Sequence, residues 1–288
     1  MISIVICSRG SDVPKVLKDN IAETIGVYYE LVIIDNTQNK FSIFQAYNEG
    51  VKLAKYPYLC FIHEDILFRS ENWGKKAISH LADTQVGVLG VAGSHYIARL
   101  PGAHWSTHIN SGNILHNTEG ETKREFFKYS GNNLASCKAI IIDGLWMCFS
   151  KEVFEKVRFD NITFSGFHCY DSDICLQILK ENYEVRIVFD IDIEHFSLGS
   201  RNKMWLENLF ILFNKWKYNL PLAVIEIPAS KISEANYFNA REIIEQLKIN
   251  NLGYFYILKV WFNYFRINPL TNLRNLKYAL SLAKRTLF

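Results

Sequence analysis

The 288-residue chain lacks several signatures that would assign a class directly. Its six cysteines (Cys7, Cys60, Cys137, Cys148, Cys169, Cys175) form no C-x-x-C pair and no compact framework. Most lie in apolar, strand-like runs, so they read as small buried hydrophobes of a reducing compartment. There is no G-x-G-x-x-G after a strand and no G-x-x-x-x-G-K-[ST], so neither common phosphate-cradling loop is present. His63-Glu64 is not followed by a second histidine at helical spacing, which excludes the H-E-x-x-H zinc motif. No run of about 18 uninterrupted apolar residues occurs, and no spanning helix is expected. Met1-Ile2-Ser3-Ile4-Val5-Ile6 has no basic n-region and enters a strand pattern directly, so it is not expected to be a signal peptide. The sequon Asn161-Ile162-Thr163 then carries no weight. Acidic residues are absent from the last 43 positions, Gln246 to Phe288, which hold seven Lys or Arg. The remainder carries 25 basic and 29 acidic groups, a mildly acidic balance that argues against a broad nucleic-acid surface.

What is present is an ordinary folding composition, 49% hydrophobic and 21% charged, long enough for one large domain plus an appendage. Short apolar runs alternate with helical patterns. Strands are expected at 2–7, 31–34, 58–62, 86–92, 138–142 and 185–189. Helices are expected from Asp12 or Pro14 to about 25, then at 43–55, 73–82, 151–157 and 173–181. This alternation predicts an α/β fold with a mostly parallel, doubly wound sheet. Residues 93–136 show no clear periodicity and read as a long functional loop, with His95, His104, Trp105 and His108 in no ligand spacing. After His195 four helices are expected, near 204–217, 234–249, 252–265 and 270–284, broken by Pro221, Pro228 and Pro269. The expected division is a catalytic domain over 1–203 and a helical C-terminal extension over 204–288.

Open α/β sheets bind ligands beyond the carboxyl ends of their strands. Three polar clusters follow successive apolar runs there: Cys7-Ser8-Arg9, Asp35-Asn36 and His63-Glu64-Asp65. Turns also favour Asp, Asn and Ser, so each cluster alone says little, but three in succession point to a site. With no Gly-rich loop, bound phosphates would need neutralising by a cation held by carboxylates.

The order and spacing of Ile4-Val5-Ile6-Cys7-Ser8-Arg9, Val32-Ile33-Ile34-Asp35-Asn36, Tyr47-Asn48-Glu49-Gly50, Phe61-Ile62-His63-Glu64-Asp65, Asp143-Gly144, Tyr170-Asp171-Ser172-Asp173 and His195 resemble glycosyltransferase family 2. The likeness spans about 2–201, is closest to a bacterial branch with His as the first residue of its D-x-D motif, and implies the A-type glycosyltransferase fold. It implies that Asp65 binds Mn2+ or Mg2+ bridging the diphosphate of a UDP-linked sugar, and that His195 completes the metal site. Ser8, Arg9, Asp35 and Asn36 would face the nucleotide, with Asn48 supporting that pocket and His63 and Glu64 beside it. Tyr47 stands where the family often has Arg. Asp171 falls at the catalytic base, with Tyr170 replacing the usual Glu; Asp173 competes, since either acid could cap a helix. Gly144 and Trp146 fall where the fold contacts the sugar or acceptor, although Trp146 equally suits core packing. Arg201 could close over the diphosphate, or remain a solvated cation.

The resulting expectation is an inverting glycosyltransferase of surface polysaccharide assembly, acting on a glycan or lipid-linked acceptor. A sugar nucleotidyltransferase and a non-catalytic glycan-binding protein are the alternatives. Aromatics and cations without acids in the tail suit a helix on anionic lipid, which would place the protein in the cytoplasm at the inner face of the membrane. Packing on the catalytic domain, or a homodimer interface, are the other readings of that tail.

Overall fold

The computed structural model describes residues 1–118, 121–127, 135–197, 199–268 and 273–287. It begins with β1 (Ile2–Ser8), α1 (Lys15–Thr24), β2 (Tyr29–Asp35), α2 (Ile43–Leu53), β3 (Tyr58–Ile62), β4 (Ile66–Phe68), α3 (Trp73–Leu81) and β5 (Val86–Gly90). There follow β6 (Ala92–Ser94), β7 (Tyr96–Ile97), β8 (Asn110–Thr118), β9 (Glu121–Phe127), β10 (Ser136–Ala139), β11 (Ile141–Ile142) and β12 (Trp146–Ser150). Next are α4 (Tyr170–Lys180), β13 (Glu184–Val188), β14 (Ile193–His195), α5 (Lys203–Trp216) and β15 (Leu222–Ala223). Three helices close the chain, α6 (Ala229–Ile249), α7 (Tyr254–Ile267) and α8 (Leu273–Leu287). No helix among the described residues is long and apolar enough to cross a membrane.

The main sheet has the order β10-β13-β5-β12-β3-β1-β2. β1 lies parallel to β2 and β3, and β13 parallel to β5, while β12 is inserted antiparallel between β3 and β5 and β10 runs antiparallel to β13. The period of two along β1 divides the core. Ile2, Ile4 and Ile6 belong to a cluster with Leu17 and Ile21 of α1 and Trp73 and Ala77 of α3. Val5 faces the other way, toward α2, where a Cβ on Gly50 would come within 2.2 Å of its Cγ1; that helix reaches the strand because Gly50 has no side chain. Helices therefore cover both faces, as a sheet buried on both sides requires. A second sheet, β11-β6-β8-β14-β4 with β9 on β8, carries β14 antiparallel to β4.

Several elements differ from the sequence expectation. α1 begins at Lys15 with Pro14 in the cap position and no side-chain cap, because Asp12 spends Oδ1 on the Val13 N–H. α2 instead has a full capping box, Ser42 with Gln45. Residues 93–136 are not a structureless loop in their described part: they hold β6 to β9 and a 3-10 helix, His104–Thr107. These strands are two to nine residues long; β6 and β8 are rich in Gly, Ser and Asn, β7 is only two residues and β9 is mostly charged, so no apolar alternation announces them.

The chain separates into two compact units, residues 1–93 with 111–199, and 94–110 with 200–288. The segment 94–110 thus belongs with the C-terminal helices. Within that second unit, β7 pairs with β15, Trp105 Nε1 donates to Glu242 Oε1 at 3.0 Å, and Asn239 Nδ2 donates to the Pro101 carbonyl at 3.1 Å.

Candidate active site

β3 ends at Ile62 and β4 begins at Ile66, so His63, Glu64 and Asp65 form the turn between them. The His63 N–H donates to the Leu145 carbonyl and fixes one end of that turn. β14 pairs with β4 so that His195 lies opposite Ile66, and the Phe196 N–H donates to the Asp65 carbonyl at 3.0 Å. Strand pairing therefore carries His195 to a residue 130 positions earlier. His195 Nε2 is 3.5 Å from Asp65 Oδ1, and His63 Nδ1 is 3.9 Å from the same oxygen. One donor atom from each of the three lies within 4.8 Å of the others, the one such group of His, Cys, Asp and Glu among the described residues. Ser197 Oγ adds a polar contact 3.3 Å from His195 Nε2.

The donors fit a divalent cation. Two atoms each about 2.1 Å from one ion stand up to about 4.2 Å apart, which spans both separations to Asp65. Electrostatics prepare the same state. Burial lowers the His63 pKa, and His195 adds to that effect against the pull of Asp65, so the imidazole stays neutral. Burial alone would raise the Asp65 carboxyl, but hydrogen bonds from His195 and Ser197 and the electrostatic pull of the two neighbouring imidazoles outweigh it and hold it ionised well below the usual range. His63, expected beside the nucleotide, is thus a third potential metal donor.

Asp171 stands in the first turn of α4, whose cap residue Cys169 has a left-handed φ of 66°. Its Oδ2 accepts from the Gly144 N–H at 3.2 Å and its Oδ1 from the Ser172 N–H at 2.6 Å. Asp173 is 1% exposed and accepts from Gln177 Nε2 at 2.8 Å within the helix. Of the two acids, Asp171 is the one with a partly open carboxylate. Tyr170 links it to the candidate metal donors: its hydroxyl lies 2.6 Å from His63 Nε2. Burial, Tyr47, Asp171, Asp143 and Asp65 together raise the Tyr170 phenol well above its ordinary range, so it remains protonated beside these carboxylates. The sequence signal for Tyr170 was its place next to Asp171; nothing in the sequence showed that it reaches His63.

The remaining expected residues divide between rim and scaffold. Ser8 Oγ donates to Glu64 Oε2 at 2.8 Å, and the Arg9 N–H donates to the same oxygen at 3.3 Å, so Glu64 ties the end of β1 to the His63–Asp65 turn. The Arg9 side chain projects into solvent, 4.0 Å from Glu64. Asp35 is exposed at the end of β2 and accepts from the Thr37 N–H. Asn36 is buried and braces its own loop through both Phe41 backbone groups, so its side chain does not face a ligand. Asn48 likewise clasps the backbone of Phe159 through both atoms of its amide.

Trp146 corrects the sugar-stacking expectation. It is 0% exposed and packs edge-on against Trp73 at 6.4 Å, because the inward register of β12 opposite Ile62 turns it into the core. Gly144 has a different use from sugar contact: a Cβ there would meet the Tyr170 hydroxyl oxygen at 2.3 Å. Arg201 belongs to the second unit, where its half-exposed side chain pairs with Glu242 at 3.4 Å and lies over the Trp105 ring at 5.5 Å.

A sheet covered on both faces, with a His-Glu-Asp turn after its third strand and a histidine returned beside it, has the A-type glycosyltransferase fold. The sequence profile described as "Glycosyltransferase like family" matches residues 4–217, and the chain belongs to that family. No curated protein matches it in sequence. Among solved structures it is similar to GalNAc-T7 with UDP, GalNAc and Mn2+, at 12% identity and a TM-score of 0.53 over 94% of this chain and 59% of that one. The chain therefore spans less than two thirds of that protein's length. A mannosyltransferase, PcManGT from Pyrobaculum calidifontis in complex with GDP-Man and Mn2+, aligns at 13% identity and a TM-score of 0.46, over 99% of this chain and 73% of its own.

Proposed function

We propose that the chain is an inverting, metal-dependent glycosyltransferase that moves a sugar from a nucleotide-diphosphate donor, taken here as UDP-linked, to a glycan hydroxyl. The observation that carries this is the convergence of His63, Asp65 and His195 at one rim, with Asp171 following the tyrosine that contacts His63. His63, Asp65 and His195 would hold a divalent cation, Mn2+ or Mg2+, which when bound neutralises charge on the leaving diphosphate. Asp171 takes the proton of the acceptor hydroxyl as its oxygen bonds to the anomeric carbon and the bond from that carbon to the diphosphate oxygen breaks. Attack opposite the leaving group inverts the anomeric centre. Asp35, at the open end of β2, and Arg9 and Glu64 line the side where the nucleotide would sit.

The test is a panel of nucleotide sugars, UDP-linked first, assayed for hydrolysis and for transfer to glycan acceptors with and without EDTA, with the product anomer read by NMR. Metal-dependent turnover giving the opposite anomer supports the reading; retention removes the inverting assignment. Nucleotide binding with no turnover on any acceptor would favour a glycan-binding protein. Release of pyrophosphate from a nucleoside triphosphate and a sugar phosphate would favour a nucleotidyltransferase.

For the second unit we infer contact with an anionic membrane surface, where a lipid-linked acceptor of surface polysaccharide assembly would lie. Phe255, Leu258 and Phe262 are exposed along α7, and Leu273, Leu276 and Leu280 along α8, in a stretch with seven cations and no acid. Peripheral attachment at the inner face of the cell membrane follows from this reading.

A further inference from the structure

We propose that Tyr170 is a positioning residue that holds His63 as its Nε2–H tautomer, with the Nδ1 lone pair turned toward Asp65. The proposal deepens the metal-site reading and rests on it for its functional consequence. A neutral imidazole has one N–H and one bare nitrogen, and the partner of one nitrogen decides what the other can do. The ring's hydrogen bond is with the Tyr170 hydroxyl, at 2.6 Å from Nε2. Asp65 Oδ1 stands 3.9 Å from Nδ1, beyond hydrogen-bond reach, so the carboxylate does not fix a proton there. A ring proton on Nε2 therefore has an acceptor in the Tyr170 oxygen, whereas one on Nδ1 would find the Asp65 carboxylate beyond hydrogen-bond reach.

The hydroxyl is held in place on three sides. The Tyr170 ring packs edge-on against Phe44 at 6.3 Å and Tyr47 at 5.5 Å, and its oxygen occupies the space left by the missing side chain of Gly144. A metal-bound histidine ordinarily donates its second ring N–H to an oxygen that fixes the ring. Tyr170 supplies that oxygen from the residue directly before Asp171. One helical turn thus orients a metal donor and carries the proposed base.

The test reads the tautomer first. Long-range proton–nitrogen spectra of the wild-type protein without added metal should show His63 protonated at Nε2. An Nδ1–H tautomer would overturn the proposal, and this measurement stands even if a variant fails to fold. Tyr170→Phe keeps the ring and removes the oxygen. Electron paramagnetic resonance of free Mn2+ should show its Kd rising about 10- to 100-fold. In a His63→Ala background the same change should alter the Kd by less than about twofold, since the coupled partner is gone. Equal losses in both backgrounds would show that Tyr170 only supports the fold. A wild-type protein that binds no Mn2+ would remove the metal reading, while the spectra alone would still decide the orientation of His63.

Discussion

The Gly144 N–H donates to Asp171 Oδ2 at 3.2 Å, which ties the carboxylate at the head of α4 to the loop before β12. An asparagine at 171 keeps an oxygen that can accept from this N–H or from Ser172. Asp171→Asn should therefore fold normally and lose only the proton acceptor. The expected result is a fall of about 10²–10⁴-fold in transfer rate. Mn2+ affinity and donor affinity, measured by calorimetry, should stay unchanged. Wild-type turnover in this variant would remove Asp171 from the mechanism.

Gly144→Ala should act on the metal site without touching it. The new methyl would stand 2.3 Å from the Tyr170 oxygen and 2.5 Å from its Cζ, and that ring is confined by Phe44 and Tyr47. Overpacking of this kind costs about 1–3 kcal/mol in denaturant unfolding. Mn2+ binding should weaken along with stability, because the displaced hydroxyl no longer meets His63. An unchanged midpoint and unchanged Mn2+ affinity would show that the ring gives way freely.

Much of this arrangement could be read in the sequence. β1, β2 and β3 are apolar runs ended by polar turns, β5 is a further apolar run, and their alternation with helices fixed the expected architecture. Asp65, His195 and Asp171 came from motif order. Three features were not legible. β12 looks like another apolar segment, and only its antiparallel register turns Trp146 inward. β4 and β14 are three residues each, too short for a period of two to register, yet their pairing brings His195 to His63 and Asp65. The use of Gly144 depends on a ring 26 positions away, which no local pattern encodes.

Trp146 therefore supports stability rather than sugar recognition. Truncating so large a buried ring to Ala should cost about 3–5 kcal/mol. Trp146→Phe, a milder cavity, should lower the unfolding midpoint while leaving donor KM unchanged in the folded fraction. A raised donor KM at full stability would return Trp146 to the binding surface.

Cys7 provides a pH-dependent check on the end of β1. Burial pushes its thiol up to about 11, with Asn36 opposing and Glu64 reinforcing the shift. The unfolded thiol titrates near 8.5, so the folded state holds its proton longer. The associated stability is complete below about 8.5 and is lost as pH rises toward 11. At pH 8 only about one thousandth of the folded thiol is ionised, against roughly a quarter of a free one. Iodoacetamide labelling followed by peptide mapping should find Cys7 slow at pH 8 and accelerating near 11. Rapid labelling at pH 8 in the folded protein would contradict the burial of this strand end.

The tail offers the last test. On α7, Ile257, Val260 and Tyr264 are buried, and Phe255, Leu258 and Phe262 recur at the same spacing on the exposed side. On α8, Ala279 and Leu282 are buried while Leu273, Leu276 and Leu280 are exposed among Arg274, Lys277 and Lys284. Apolar side chains flanked by cations suit insertion at an anionic interface, where each cation contributes about 1 kcal/mol. The intact protein should co-sediment with vesicles containing phosphatidylserine and not with neutral vesicles, and added salt should weaken the association. Leu276→Glu with Leu280→Glu should abolish sedimentation and leave transfer to a soluble acceptor intact, because neither residue belongs to the proposed active site. If those changes instead convert a dimer to a monomer in analytical ultracentrifugation, the exposed leucines form a subunit interface and the membrane reading fails.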